Sequence, residues 1–127
     1  MTTARLQAYR QSPRKMRLVS DLVKGKSVDE ALRILSMTTK AAAKPIGKLL
    51  ASAARSAKDT ITVGKELYIK EFRVDAGPTL KRSMPRARGS AYPILKRTAH
   101  VFLSLDAREE GRGAKKTKAE GVSAAGK

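Results

Sequence analysis

Apolar and polar positions alternate almost from the first residue. Ala4, Leu6 and Ala8 take one side of residues 4–9, and Arg5, Gln7 and Tyr9 take the other. A period of two reads as a half-buried strand. Ser12-Pro13 then gives an N-cap and a proline at the first helical position, where the missing N–H has no helical partner to lose. Met16, Val19 and Val23 fall on one side of this predicted helix, helped by Leu18 and Leu22, and Gly25 ends it. Ser27-Val28-Asp29-Glu30 reads as a capping box, with Ser27 capping and Glu30 reaching back. A short helix through Ala31, Leu32 and Leu35 follows. Ile46, Leu49, Leu50, Ala53, Ala54 and Ala57 then recur at helical steps, and the alanines allow close approach to a sheet. Pro45 fits this third helix only within its first turn.

The second half changes period. Leu67 and Ile69 share one phase of alternation, Phe72 and Val74 the other, and the slip predicts a β-bulge or a bend. Val101, Leu103 and Leu105 share one face of a strand over residues 100–105. Between these strands, residues 76–97 contain Pro78, Pro85, Pro93, Gly77 and Gly89. A stretch of that length inside a small domain is usually functional, and it reads as an extended hairpin projecting from the body. Residues 107–127 are mostly Ala, Gly, Lys and Glu, and they are expected to form a disordered basic tail. The expected organisation is one domain, 1–106, with body 1–75 and 98–106, hairpin loop 76–97, and the tail.

Composition limits what this body does. The chain has 127 residues, and 19 of its apolar positions are alanine, so the core is modest. There is no cysteine, which excludes disulfides, thiolate metal sites and Cys nucleophiles. No apolar run approaches the ~20 residues of a membrane span, and MTTARLQAYR lacks the apolar core of a signal peptide. A cytoplasmic protein is the expectation.

Charge sharpens this further. The net charge is +17, and it divides into +8 on the body, +6 on the hairpin loop and +3 on the tail. Lys81, Arg82, Arg86, Arg88, Lys96 and Arg97 face no acid anywhere between Ala76 and Leu105. Mixed charge on a loop would mean ordinary solvation, whereas charge of one sign repels itself and calls for a polyanionic partner. Small residues between the arginines let backbone approach a surface, and guanidinium groups suit phosphate and stack on bases. A second basic stretch holds Arg5, Arg10, Arg14, Lys15 and Arg17. Arg14 and Arg17 are helix neighbours, and Arg17 with Asp21 also has the spacing of a surface ion pair.

Signals for catalysis fail in turn. His100 is the only histidine, so no His pair holds zinc and no triad can form. It lies out of phase with the core set, which reads as a surface or RNA-stacking residue. No phosphate-binding glycine motif is present, and no cofactor or metal is expected.

The run Ser12-Pro13-Arg14-Lys15-Met16-Arg17-Leu18-Val19, followed by Asp21-Leu22-Val23-Lys24-Gly25-Lys26, resembles the first helix of the ribosomal protein L22 (uL22) family. Asp75-Ala76-Gly77-Pro78 with Lys81-Arg82-Ser83-Met84-Pro85-Arg86-Ala87-Arg88-Gly89 looks like that family's tunnel hairpin, and Ile94-Leu95-Lys96-Arg97-Thr98-Ala99-His100 resembles its returning strand. The resemblance spans residues 4–106 and is to the bacterial or organellar type. It implies an α+β fold, three helices packed on a small antiparallel sheet, with a long extended β-hairpin projecting from the body. It also implies a structural role in the large ribosomal subunit, binding and helping assemble its rRNA beside neighbouring ribosomal proteins. The expected RNA contacts are Arg5, Arg10, Arg14, Lys15 and Arg17, then Lys81, Arg82, Met84, Pro85, Arg86, Arg88 and Gly89, then Lys96, Arg97, Thr98 and His100. The expected lining of the polypeptide exit tunnel is Leu80, Lys81, Arg82, Gly89, Ser90, Ala91, Tyr92 and Pro93, facing the nascent polypeptide and near where macrolides bind. Bacterial members commonly carry a basic residue after the tip glycine, whereas Ser90 stands here; Tyr92 offers a ring for stacking on a base.

Three other classes fit less well. A DNA-binding architectural protein has the charge, but there is no recognition-helix pattern. A membrane-active cationic protein needs helices more strongly divided into basic and apolar faces. An RNA-modifying enzyme would have to use His100.

Overall fold

The computed structural model describes residues 1–58 and 65–109. Strand β1 (Thr2–Tyr9) leads into helices α1 (Pro13–Val23), α2 (Val28–Met37) and α3 (Ala43–Lys58). Strands β2 (Lys65–Ala76), β3 (Leu80–Pro85), β4 (Ala91–Lys96) and β5 (Ala99–Glu109) follow, with a short 3-10 turn at Ala87–Gly89. β1, β5 and β2 form an antiparallel sheet in that order, and β3 and β4 form a separate two-stranded ribbon. This is the expected α+β arrangement.

The helices cover one face of the sheet. Met16, Val19 and Val23 of α1, Ala31 and Leu35 of α2, and Ile46, Leu50, Ala53 and Ala57 of α3 meet Ile69, Phe72, Val74, Val101, Leu103 and Leu105 in one core. Pro45 is the third residue of α3, inside the first turn, where no helical N–H bond is lost. Ser12 precedes α1 as expected but makes no side-chain cap; its carbonyl accepts from the Lys15 and Met16 N–H groups instead. Half of the capping box forms: Ser27 Oγ accepts from the Glu30 N–H at 3.4 Å, while the Glu30 carboxylate turns to Lys26 Nζ at 2.6 Å.

Two irregularities adjust the alternation. In β2 the ladder to β5 shifts between Ile69 and Glu71, leaving Lys70 as the extra residue. This is the predicted bulge, and it turns both Ile69 and Val74 inward. On the edge of β2 away from β5, the Gly25 N–H donates to Ile69 O at 3.2 Å, and the Ile69 N–H donates to Lys26 O at 2.9 Å. The helix-ending Gly25 has φ +77°, a backbone region glycine enters without a Cβ penalty.

The other irregularity departs from expectation. β1 shifts register between Leu6 and Tyr9, so Ala8 is exposed and Tyr9 packs against the core, the reverse of strict alternation. Ala8 has φ +49°, which costs an alanine roughly 1–2 kcal/mol. Its N–H is held by His100 Nδ1 at 3.0 Å. β5 also runs to Glu109, three residues past the boundary expected at 106, because Ala107, Arg108 and Glu109 pair with Leu67, Glu66 and Lys65. The remainder of the expected tail, 110–127, lies outside the described residues.

Candidate nucleic-acid interface

Two parts of the molecule concentrate unpaired positive charge. The ribbon pairs Leu80 with Lys96, Lys81 with Leu95, Arg82 with Ile94, Ser83 with Pro93, Met84 with Tyr92, and Pro85 with Ala91. Every residue from Lys81 to Arg97 is exposed. Its strands contact chiefly each other, so they add little to the body's core.

Residues directly opposite on an antiparallel pair share a face, and neighbours along a strand do not. The ribbon therefore has two unlike faces. One carries Leu80, Arg82, Met84, Tyr92, Ile94 and Lys96, a broad surface of long cationic and apolar side chains. The other carries Lys81, Ser83, Pro85, Ala91, Pro93 and Leu95, mostly small or ring-constrained. At the tip, the Arg86 guanidinium lies over the Tyr92 ring at 5.7 Å. The Arg86 N–H donates to Ser90 O at 2.8 Å, and Ser90 Oγ donates to Ala87 O at 2.9 Å. Arg88 (φ +58°) and Gly89 (φ +70°) make the turn in the left-handed region, so the tip is a hydrogen-bonded loop rather than a loose end.

The second concentration lies where the ribbon meets the body. A cleft of about 580 Å³ is lined by Arg10, Gln11, Ser12, Lys15, Leu95, Lys96 and Arg97. Four cations and the start of α1 converge there, and among the described residues no carboxylate lines it. Helix N-termini and basic side chains both favour an anion, so the cleft is fitted to phosphate. The acids of the sheet are engaged elsewhere: Asp106 with Lys70 at 2.9 Å, Asp75 with Arg73 at 2.9 Å, and Glu66 with Arg108 at 3.1 Å.

Other expected contact residues sit differently. Arg14 is exposed on α1. Arg17 makes no pair with Asp21; its Nε and Nη2 donate to Val74 O at 3.2 and 3.1 Å and tie α1 to β2. Arg5 is on the opposite face of the sheet, stacked 5.2 Å from the Phe102 ring, with Arg73 stacked on the same ring at 5.3 Å.

Thr98 and His100 are engaged within the protein itself. Thr98 is 3% exposed and its hydroxyl donates to Pro78 O at 2.7 Å, so it is committed to the hairpin base. His100 is half-buried and accepts from Ala8 through Nδ1, which puts the proton of the neutral ring on Nε2. Neither the Arg5–Phe102–Arg73 row nor the joining of Arg10 and Lys15 to Lys96 and Arg97 is visible in sequence, because both depend on long-range register. Among the described residues, no three metal-ligating side chains converge, and no helix is long and apolar enough to cross a membrane.

A small α+β body that carries an acid-free ribbon and a four-cation cleft belongs to the class of basic binding proteins. Residues 4–106 match the family model described as ribosomal protein L22p/L17e. The chain is 49% identical over 107 residues to the large ribosomal subunit protein uL22 of Myxococcus xanthus (strain DK1622), covering 82% of this chain and 94% of that one. It is 50% identical over 106 residues to the uL22 of Lactobacillus delbrueckii subsp. bulgaricus, covering 81% and 91%. With the uL22 of Clostridium novyi it shares 50% identity over 100 residues, covering 78% and 90%. The chain belongs to the ribosomal protein L22 family.

Proposed function

We propose that this chain is a non-catalytic structural constituent of the large ribosomal subunit. It binds large-subunit rRNA through the cleft and the ribbon, aids rRNA assembly, and lines the polypeptide exit tunnel with the ribbon. The observation that carries the reading is the cleft, where the cations of α1 and of the ribbon base meet with no acid among them. Phosphate neutralised at that junction fixes the direction in which the ribbon leaves the body. The ribbon's broad face, with Arg82, Met84, Tyr92 and Lys96 and with Arg86 at the tip, turns to RNA, where guanidinium groups pair with phosphate and the ring stacks. Its small face, with Ser83, Ala91 and Pro93, turns to the tunnel lumen and the nascent chain, where short side chains give little to hold. Lys81 and Arg82 thus part, one to each face. Arg14 and Arg88 extend phosphate binding from the body and the turn.

Sedimentation through a low-salt gradient tests this. The protein is expected to travel with large-subunit particles, and recovery at the top of the gradient overturns the reading. Replacing Arg10, Lys15, Lys96 and Arg97 by glutamine should flatten the dependence of log affinity on log salt, by about 0.7–0.9 for each phosphate no longer neutralised. An unchanged slope would remove the cleft from the interface.

A further inference from the structure

The two edges of the three-stranded sheet are treated differently. The β2 edge is covered by Gly25 and Lys26 through backbone hydrogen bonds to Ile69. The β1 edge is open: among the described residues, β1 pairs with β5 alone. Alongside it runs a groove of about 580 Å³, lined by Leu6, Tyr9, Pro45 and Leu49, with Lys44 and Lys48 exposed on its rim. No β5 residue lines this groove, so it opens on the outer side of β1. Its four apolar residues are only half-buried, and among the described residues no acid lines it.

We propose that the β1 edge and this groove dock an extended segment of a neighbouring protein, carrying apolar and acidic side chains on one face, as a fourth strand of the sheet. A free strand edge presents N–H and C=O groups in alternation. A peptide backbone matches both in the same alternation, whereas the phosphates of RNA only accept and its 2′-hydroxyls do not recur at strand spacing. An apolar side chain of the incoming segment fills the space beside Leu6 and Leu49, and carboxylates two residues away, on the same face of the added strand, meet Lys44 and Lys48. A second copy of this chain is a poor occupant, because it brings a net charge of +17 to a cationic rim. The chain's own end is no better, since residues 115–118 read Lys-Lys-Thr-Lys. The bulge at Ala8 ends the regular edge, so the added strand spans Thr2–Leu6.

The site is separate from the RNA-facing surfaces, and its test involves no ribosome. The full-length protein is titrated with a synthetic Thr-Val-Thr-Glu repeat peptide, whose valines and glutamates alternate along one face, and followed by backbone amide NMR. Two controls accompany it: the same peptide with every second valine replaced by proline, and an oligouridine of equal charge. The expected result is slowed amide exchange within Thr2–Leu6 and shifts at Lys44, Lys48 and Leu49 with the alternating peptide alone. Lys44→Glu with Lys48→Glu should weaken that binding by about tenfold, with the circular dichroism spectrum unchanged. Equal effects from the proline control, the same β1 protection from oligouridine, or shifts confined to the ribbon and the α1 cleft would each overturn the proposal. Failure there leaves the rRNA reading standing, since no residue of the ribbon or of the α1 cleft is involved.

Discussion

Thr98 Oγ1 donates a 2.7 Å hydrogen bond to the carbonyl oxygen of Pro78, closing the base of the ribbon across twenty residues of sequence. The Gly77 N–H donates to Thr98 O at 2.9 Å in the same place. A Cβ on Gly77 would collide with Thr98 Oγ1 and stand 3.1 Å from His100 Nε2. Gly77 is therefore required for close approach and not for an unusual backbone angle. Thr98→Val removes the hydroxyl at nearly constant shape and should cost about 1 kcal/mol. Gly77→Ala should cost about 1–3 kcal/mol through overpacking, and less when combined with Thr98→Ala, which removes the atom it strikes. Urea unfolding of Gly77→Ala, Thr98→Ala and the double variant reads the coupling. Strict additivity would show that the two residues do not meet.

Ribbon and body are proposed to be energetically separate. No buried core residue lies between Gly77 and Arg97. Replacing residues 80–96 by two glycines should leave a cooperative thermal transition with a midpoint shifted by less than about 4 °C. RNA affinity should fall steeply in the same variant, since five of the six ribbon cations are gone. Loss of the cooperative transition would show that the ribbon supports the body.

Sequence patterning makes much of this fold legible where the signal is local. The phase slip between Leu67/Ile69 and Phe72/Val74 is visible because a strand's faces alternate strictly, and the bulge at Lys70 is its physical cause. The slip in β1 is hidden because Ala8 takes its left-handed backbone beside an acceptor, His100 Nδ1, that lies 92 residues away. Glu30 looks like a capping partner because the box is local, yet Lys26 competes for the same carboxylate at i, i+4. The basic segments of the candidate site are legible as charge without acid. Their meeting in one cleft is not, because it depends on how β4 returns past the start of α1. Thr98 is hidden for a related reason: nothing local marks the threonine after Lys96-Arg97 as buried, and only the closed hairpin base buries it.

Ser104 stands on β5 between Thr3 and Glu71, fully buried, and among the described residues its hydroxyl has no hydrogen-bond partner. A buried hydroxyl without a partner carries its desolvation cost uncompensated. Ser104→Ala removes that group with little change in volume, so it should be neutral or stabilise the fold by up to about 1 kcal/mol. A loss of more than about 1 kcal/mol in urea unfolding would mean that the hydroxyl makes a hydrogen bond in solution.

Lys70, the extra residue of the β2 bulge, places Nζ 2.9 Å from Asp106 Oδ2, and the Ala107 N–H donates to Asp106 Oδ1 at 3.0 Å. The Lys70 hydrogen bond, joined by that N–H, holds the Asp106 carboxyl below its ordinary 3.8. The same carboxylate raises Lys70 above its ordinary 10.5. The signs follow directly. A lowered carboxyl stabilises the fold above its unfolded value and loses that contribution as pH falls through its folded value. A raised ammonium stabilises the fold below its unfolded value and loses that contribution as pH rises through its folded value. The pair's contribution should therefore be level from about pH 4 to about pH 10 and decline beyond each end. Lys70→Met should raise the Asp106 midpoint in a carbon-13 NMR titration, though not fully to 3.8, because the Ala107 N–H remains. Lys70 is exposed and Asp106 only half-buried, so about 1 M salt, where charges are screened within ~3 Å, should shrink the Coulombic part of the wild-type shift. An Asp106 midpoint indifferent to Lys70→Met would show that the backbone N–H alone sets it, and that the bulge places its lysine with no electrostatic consequence.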